Sequence, residues 1–263
     1  MQSESRLQME SRLRSLYRDL LERVGKLPPP LVEKLGCPFL PFPNEGWSEC
    51  KQRLLLVGQE PFEWTFEKGE GGPPMSWPHD RLTTLREVLD LGADRSVEAL
   101  TSGYLASCAG PTARGPFNQA FDLFKRSLDR EGAASMVSTN LVRCAFKGKR
   151  KSLLNASEEE RRQVLDWQRG CLTGELKALN PTAVVFLTGP YYDEFLGDEF
   201  PSVEYERFGD HDKRQLARVR LGGLLPEASF RTYHPGFLRR SKTRWSWLEE
   251  LAREVTRGIR AAG

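Results

Sequence analysis

Four short strand-like runs, separated by helical stretches, constrain the fold of this chain more than any other feature. They are residues 53–58, 135–140, 183–189 and 228–233. The first run, Arg-Leu-Leu-Leu-Val-Gly, is apolar at consecutive positions, which is typical of a strand buried on both faces of a parallel sheet. Strands that alternate with helices predict an α/β fold.

The segments between these runs show the spacing of amphipathic helices. We expect helices over residues 118–129 and from about Thr243 onward. Ser157, with a glutamate three residues later, forms a capping box that begins a helix running to about Leu179. Alternating residues over 203–221 predict a hairpin at the sheet edge.

The first 47 residues form a segment of their own. An amphipathic helix is predicted over residues 2–26, and three prolines at 28–30 end it before a stretch rich in proline, glycine and aromatic residues. We therefore expect an N-terminal helix and wrap at 1–47 and one compact domain at 48–263. The predicted architecture is three-layer α/β/α with a central, mostly parallel four-stranded sheet, the N-terminal helix and the edge hairpin.

Composition excludes several classes of protein. No apolar run approaches the roughly 18 residues of a membrane span, and the N-terminus has no apolar signal core, so we expect a cytoplasmic or nuclear protein that is not secreted. Lys and Arg total 39 against 36 Asp and Glu, a net charge of +3 that does not by itself indicate a nucleic-acid partner. The five cysteines include no CxxC pair, which favours reduced, buried thiols.

Polar residues follow three of the predicted strands. They are the segments Gly58-Gln59-Glu60-Pro61-Phe62, Asn140, and His234-Pro235-Gly236-Phe237-Leu238-Arg239-Arg240. In an open α/β sheet, ligands bind outside the carboxyl ends of the strands. We therefore expect a carboxylate, a carboxamide and an imidazole to meet in one cleft.

These segments resemble motifs of the uracil-DNA glycosylase superfamily. Residues 58–62 are similar to the GQDPY and GEAPG forms of its first motif, and residues 232–239 to the TYHPAxLLR form of its iron–sulfur members. Residues 140–144 are similar to the NVVKC segment of those members, and residues 115–117 to their GRPFVG segment. The resemblance covers roughly residues 54–247, in the family's order.

The resemblance implies an enzyme that flips a uracil or related deaminated base out of DNA and hydrolyses its N-glycosidic bond. The implied catalytic residues are Glu60, which orients water, His234, which stabilises the leaving base, and the neighbouring Gln59. Gln59 stands where the iron–sulfur members carry their acid, and Glu60 where the GQDPY members carry theirs. The implied base-binding residues are Gly58, Pro61, Phe62, Phe117 and Asn140.

The resemblance also implies a DNA-binding surface. Phe237 and Leu238 correspond to an apolar wedge that fills the vacated base stack. Two basic groups directly follow the site segments, which favours phosphate contact. The predicted DNA-contacting residues are Pro235, Phe237, Leu238, Arg239 and Arg240, together with Lys147, Lys149 and Arg150 from the first basic group; the basic groups further include Arg143, Lys151, Lys242 and Arg244.

We expect no cofactor and no metal. The family's N-terminal CxxC is absent, and Cys171 lies farther from Cys144 than in the iron–sulfur members, so we predict no iron–sulfur cluster. The expected partner is DNA that contains a damaged or deaminated base, bound by a monomer without a membrane.

Each site residue also has a plainer interpretation. Glu60 can cap backbone N–H groups, His234 and Asn140 can be turn residues, and the basic groups can be a solvated face. Phe117 and Leu238 can belong to the core, and His79 and His211 are interpreted as surface or insertion residues. The alternative function is a catalytically weak or silent family member that binds nucleic acid without base excision. A weaker alternative is an α/β hydrolase that acts on a free nucleoside or nucleotide.

Overall fold

The computed structural model describes residues 6–61, 84–109, 115–129, 134–147, 152–240 and 242–262. Over these residues the protein is α/β, with a mostly parallel six-stranded sheet flanked by helices, as in a three-layer α/β/α fold. The strands are β1 (Gln52–Gly58), β2 (Ala134–Asn140), β3 (Ala183–Phe186), β4 (Glu204–Arg207), β5 (Leu216–Arg220) and β6 (Ala228–Thr232), in the order β2-β1-β3-β6-β5-β4.

The four predicted strand runs form the parallel part of the sheet. Strand β1 pairs with β2 and β3, and β3 pairs with β6, all in parallel. The predicted hairpin is also confirmed, since β4 and β5 pair in antiparallel fashion. In the part of the chain that the structure describes, the sheet nevertheless has six strands where the sequence predicted four, because β5 pairs with β6 and adds the hairpin to the same sheet.

Helices cover both faces of the sheet. The capping box at Ser157 is confirmed, but the single helix predicted from there to Leu179 is two helices. They are separated at Gly170, because its φ of 80° is not a helical backbone angle. None of the described helices is long and apolar enough to cross a membrane. The helices are α1 (Arg6–Glu22), α2 (Pro29–Val32), α3 (Leu85–Asp90), α4 (Ala93–Ala109), α5 (Pro116–Asp129), α6 (Glu158–Gln168), α7 (Cys171–Leu179), α8 (Asp193–Glu199), α9 (Pro235–Leu238) and α10 (Lys242–Ala262), with 3-10 turns at Arg23–Lys26, Leu153–Asn155 and Pro190–Tyr192.

The N-terminal helix packs into the core on one face of the sheet. A Cβ on Gly174 of α7 would lie 2.6 Å from a methyl carbon of Leu16, so the missing side chain allows α1 and α7 to approach closely. Tyr17 of α1 is fully buried, and the indole of Trp167 donates a 2.8 Å hydrogen bond to the Leu20 carbonyl. Helices α5 and α10 cover the opposite face with a second apolar cluster.

Candidate functional site

The carboxyl ends of the parallel strands lie along one edge of the sheet. Gly58 at the end of β1 is in register with Asn140 at the end of β2. The Gly189 N–H, just beyond β3, donates to the Thr232 carbonyl at the end of β6, 2.9 Å away. The segments that carry Glu60, Asn140 and His234 therefore leave the sheet side by side, as predicted for a ligand cleft in this kind of fold.

Gly58, Asn140 and Phe117 form a close contact at this edge. A Cβ on Gly58 would lie 2.4 Å from Asn140 Oδ1 and 3.1 Å from Phe117 Cε2, so no larger residue fits without moving its neighbours. Phe117 is half-buried in the first turn of α5, and Asn140 is 9% exposed. The contact places an aromatic ring beside a carboxamide, next to a stretch of backbone without a side chain.

His234 faces the same group of residues from the end of β6. Its ring lies nearly parallel to that of Phe117, at an interplanar angle of 23° and a centroid separation of 6.5 Å. Its Nδ1 accepts a 3.1 Å hydrogen bond from the Gly236 N–H, and burial lowers its pKa to about 4. The ring is therefore neutral near pH 7, with its proton on Nε2 as a hydrogen-bond donor.

The carboxylate of Glu60 is held by two donors. Its Oε1 accepts from the Tyr192 hydroxyl at 2.7 Å, and its Oε2 accepts from the Leu153 N–H at 2.9 Å. The capping interpretation of Glu60 thus applies to one oxygen, since Leu153 begins a 3-10 turn. Because each carboxylate oxygen has two lone pairs, both retain a site for a further donor such as water.

Gln59 makes a structural bridge between strand ends. Its side-chain Nε2 donates a 2.6 Å hydrogen bond to the Thr188 carbonyl after β3, and its backbone carbonyl accepts from the Val142 N–H at 2.9 Å. The side chain therefore ties β1 to β3. Pro61, which follows the motif, is buried.

The segment predicted as a wedge requires a correction. Leu238 is fully buried in the apolar cluster beneath the site, so it packs in the core and presents no surface to DNA. Phe237 is half-buried and stacks on Tyr233 at 4.5 Å between centroids. The guanidinium groups of Arg244 and Arg240 lie 4.7 and 5.6 Å from the centre of the same ring.

The basic residues divide between surface and core. Arg239 and Arg240 are exposed beside His234, and Lys147 is half-buried, whereas Pro235 is buried. Arg143, which the sequence placed in the first basic group, is instead fully buried. Its Nη1 donates to Glu175 at 2.8 Å and to Thr139 at 2.6 Å, and the charge is neutralised inside the core rather than by phosphate.

Several expected residues lie outside the described part of the chain. They are Phe62, Lys149, Arg150 and Lys151, and His79 also lies outside it. His211 is half-buried and lies 2.9 Å from the Glu250 carboxylate. Among the described residues, which include all five cysteines, no three His, Cys, Asp or Glu side chains are arranged to hold a metal ion. The absence of an iron–sulfur cluster stays a prediction.

Sequence reasoning missed two side chains that contact the candidate acid directly or through one hydroxyl. Tyr192 lies in the turn after β3, and Ser152, whose Oγ is 3.1 Å from the Tyr192 hydroxyl, precedes the 3-10 turn at Leu153. The position of Tyr192 just beyond a parallel strand was a usable signal, because residues there face the ligand edge of the sheet. Ser152 carried no such signal.

Comparison with known protein families finds no family model that matches this chain, and comparison with curated proteins finds no significant match.

Proposed function

We propose that this protein is a DNA glycosylase of the uracil-DNA glycosylase superfamily, with that family's fold, and that it hydrolyses the N-glycosidic bond of a flipped uracil or related deaminated base. The observation that carries the proposal is the grouping of Gly58, Phe117, Asn140 and neutral His234 at the carboxyl edge of the sheet. A ring face, a carboxamide and a neutral imidazole N–H together complement a planar base that leaves as an anion.

Recognition of the base follows from the groups around Gly58. The ring of Phe117 offers a face on which a flipped base stacks. The carboxamide of Asn140 carries a donor and an acceptor side by side, which match the imide edge of a deaminated base. Because Gly58 has no side chain, Asn140 and Phe117 come together against its backbone, and this sets the carboxamide beside the stacking face.

Cleavage of the bond needs a nucleophile and a stabilised leaving group. The oxygen of a water molecule held by Glu60 attacks C1′ of the sugar, and the electron pair of the C–N bond leaves with the base. Glu60 takes up the proton of that water. His234 donates a hydrogen bond from Nε2 to the oxygen on which negative charge develops, and its neutral state means that no proton has to be lost first.

DNA binding is part of the same proposal. The exposed Arg239 and Arg240 directly follow the α9 turn that begins at His234, and exposed Arg244 lies over the Phe237 ring. Guanidinium groups at this position suit phosphate oxygens on either side of a flipped nucleotide. We propose that the protein binds DNA in this way as a monomer, inside the cell.

A second candidate is a family member that binds DNA without excising a base. The observation that favours it is the double engagement of the Glu60 carboxylate by Tyr192 and Leu153, which is also the geometry of a purely structural cap. Both candidates use the same cleft and the same basic surface. They differ only in whether Glu60 activates water.

The deciding experiment is a cleavage panel of oligonucleotides containing uracil, hypoxanthine, xanthine or mismatched thymine, each single- and double-stranded. The proposal expects release of at least one base, a large loss of turnover in Glu60→Gln, and retained DNA affinity in that variant. The control is Glu22→Gln, which changes an exposed carboxylate at the end of α1. DNA binding with no release from any oligonucleotide would establish the second candidate instead.

A further inference from the structure

Glu60 belongs to a chain of hydrogen bonds that joins three separate segments. An ionised carboxylate only accepts, so the Tyr192 hydroxyl donates its one proton to Glu60 Oε1. The Ser152 hydroxyl, 3.1 Å from the Tyr192 oxygen, is then the donor to it. Ser152 Oγ in turn accepts from the Leu154 N–H at 3.2 Å. Every proton in the chain is thereby directed toward Glu60.

The ring of Tyr192 is fixed independently of Glu60. It is 1% exposed and packs edge-to-face on Phe195 of α8, with centroids 5.2 Å apart. Burial and the neighbouring Glu60 charge raise the pKa of Tyr192, so the hydroxyl keeps its proton and stays a donor. Its backbone N–H donates to the Gly189 carbonyl at 3.2 Å.

The turn that carries Tyr192 also touches the opposite side of the cleft. The Gly189 N–H donates to Thr232, two residues before His234, and a Cβ on Gly189 would lie 3.4 Å from the ring of Tyr233. Gly189 has a φ of 70°, which favours glycine. The turn therefore sets the Glu60 carboxylate relative to the segment of His234.

We propose that Tyr192 is a positioning residue, supported by Ser152, that fixes the Glu60 carboxylate in the orientation that activates water. The inference rests on the proposed glycosylase function. In this arrangement the Tyr192 and Leu153 donors occupy one lone pair on each oxygen and stop rotation of the carboxylate. The remaining lone pairs then point in a constant direction, which is what a water-activating carboxylate requires.

The test is single-turnover kinetics on the oligonucleotide that wild-type protein cleaves fastest, with the enzyme in excess and its concentration varied. Tyr192→Phe retains the ring and removes only the hydroxyl, and we expect the maximal rate constant to fall about 10- to 100-fold, since the lost hydrogen bond is to a charged group. The half-saturating enzyme concentration stays unchanged. Ser152→Ala lowers the rate in the same direction by a smaller factor, and also serves if Tyr192→Phe folds poorly.

Two controls separate positioning from general damage. Tyr191→Phe alters the adjacent tyrosine, which is 67% exposed, and leaves the rate unchanged. In a Glu60→Gln background, Tyr192→Phe lowers the rate by less than about twofold, because residues that act as a unit are not additive.

Each other outcome is decisive. A wild-type rate in both Tyr192→Phe and Ser152→Ala overturns the positioning role and leaves the glycosylase proposal standing. The positioning role is also overturned if Tyr192→Phe lowers the rate constant equally in the wild-type and Glu60→Gln backgrounds. It is likewise overturned if Tyr192→Phe changes only the half-saturating enzyme concentration. No base release by wild-type protein overturns both proposals.

Discussion

The half-buried, neutral imidazole of His234 makes the stability of this protein depend on pH in a direction that the structure determines. Burial lowers the pKa of His234 to about 4 in the folded protein, whereas a histidine in an unfolded chain has a pKa of about 6.5. Between these values the unfolded chain binds a proton that the folded protein does not. The free energy of unfolding therefore falls as the pH falls from about 6.5 toward 4.

The size of the effect follows from the difference between the two pKa values. A difference of about 2.5 pKa units at about 1.36 kcal/mol per unit corresponds to about 3 kcal/mol of unfolding free energy. This contribution is fully present above about pH 6.5 and is fully lost only below about pH 4. Other groups of the protein also titrate in this range. They do so equally in a His234→Gln variant, so the difference between wild type and variant isolates the imidazole.

The assay is urea unfolding of wild type and His234→Gln at half-unit steps from pH 4 to pH 8. We expect the difference in unfolding free energy to be constant above about pH 7 and to shift by about 3 kcal/mol in favour of the variant as the pH approaches 4. A difference that does not change with pH would show that His234 titrates normally in the folded protein. Burial would then not be what keeps the imidazole neutral.

Three further predictions concern the site and the core beneath it. Gly58→Ala forces the Asn140 amide to move, since the new methyl would lie 2.4 Å from its oxygen; we expect base release in the cleavage panel to fall by at least about tenfold with DNA affinity retained. Arg143→Met leaves the buried Glu175 carboxylate without its positively charged partner and costs about 3–5 kcal/mol in urea unfolding, and adding Glu175→Leu restores most of it. Leu238→Ala costs about 2–5 kcal/mol in unfolding because it opens a cavity. A Leu238→Ala variant with wild-type stability but weakened duplex binding would indicate that Leu238 contacts DNA instead of packing in the core.

Most of the sheet was predictable from sequence because each of its strands is marked by a short local pattern of residues. The run that forms β1 is buried at five consecutive positions, and a short, continuously apolar run of this kind is typical of a central strand in a parallel sheet. The capping box at Ser157 depends on residues three apart and was predicted for the same reason. The break at Gly170 was missed, since a helical glycine and a helix-ending glycine look alike without the backbone angles.

The sequence by itself determined which polar residues follow the strands, and hence that Gly58, Asn140 and His234 meet at one edge. The tertiary structure decided what each side chain does there. Arg143 and Leu238 were assigned to a DNA surface by their neighbours in sequence, and both are buried by contacts with distant helices. Whether a charged or apolar side chain is exposed or buried depends on which distant residues pack over it, and the local sequence pattern does not contain that information.

Glu60 illustrates the same limit at the site. Its two hydrogen-bond donors, on Leu153 and Tyr192, lie 93 and 132 residues away in the chain, in two short 3-10 turns. Local sequence therefore placed a carboxylate at the end of β1 but not its orientation. That orientation comes from long-range hydrogen bonds, which exist only once the sheet has brought the ends of its strands together.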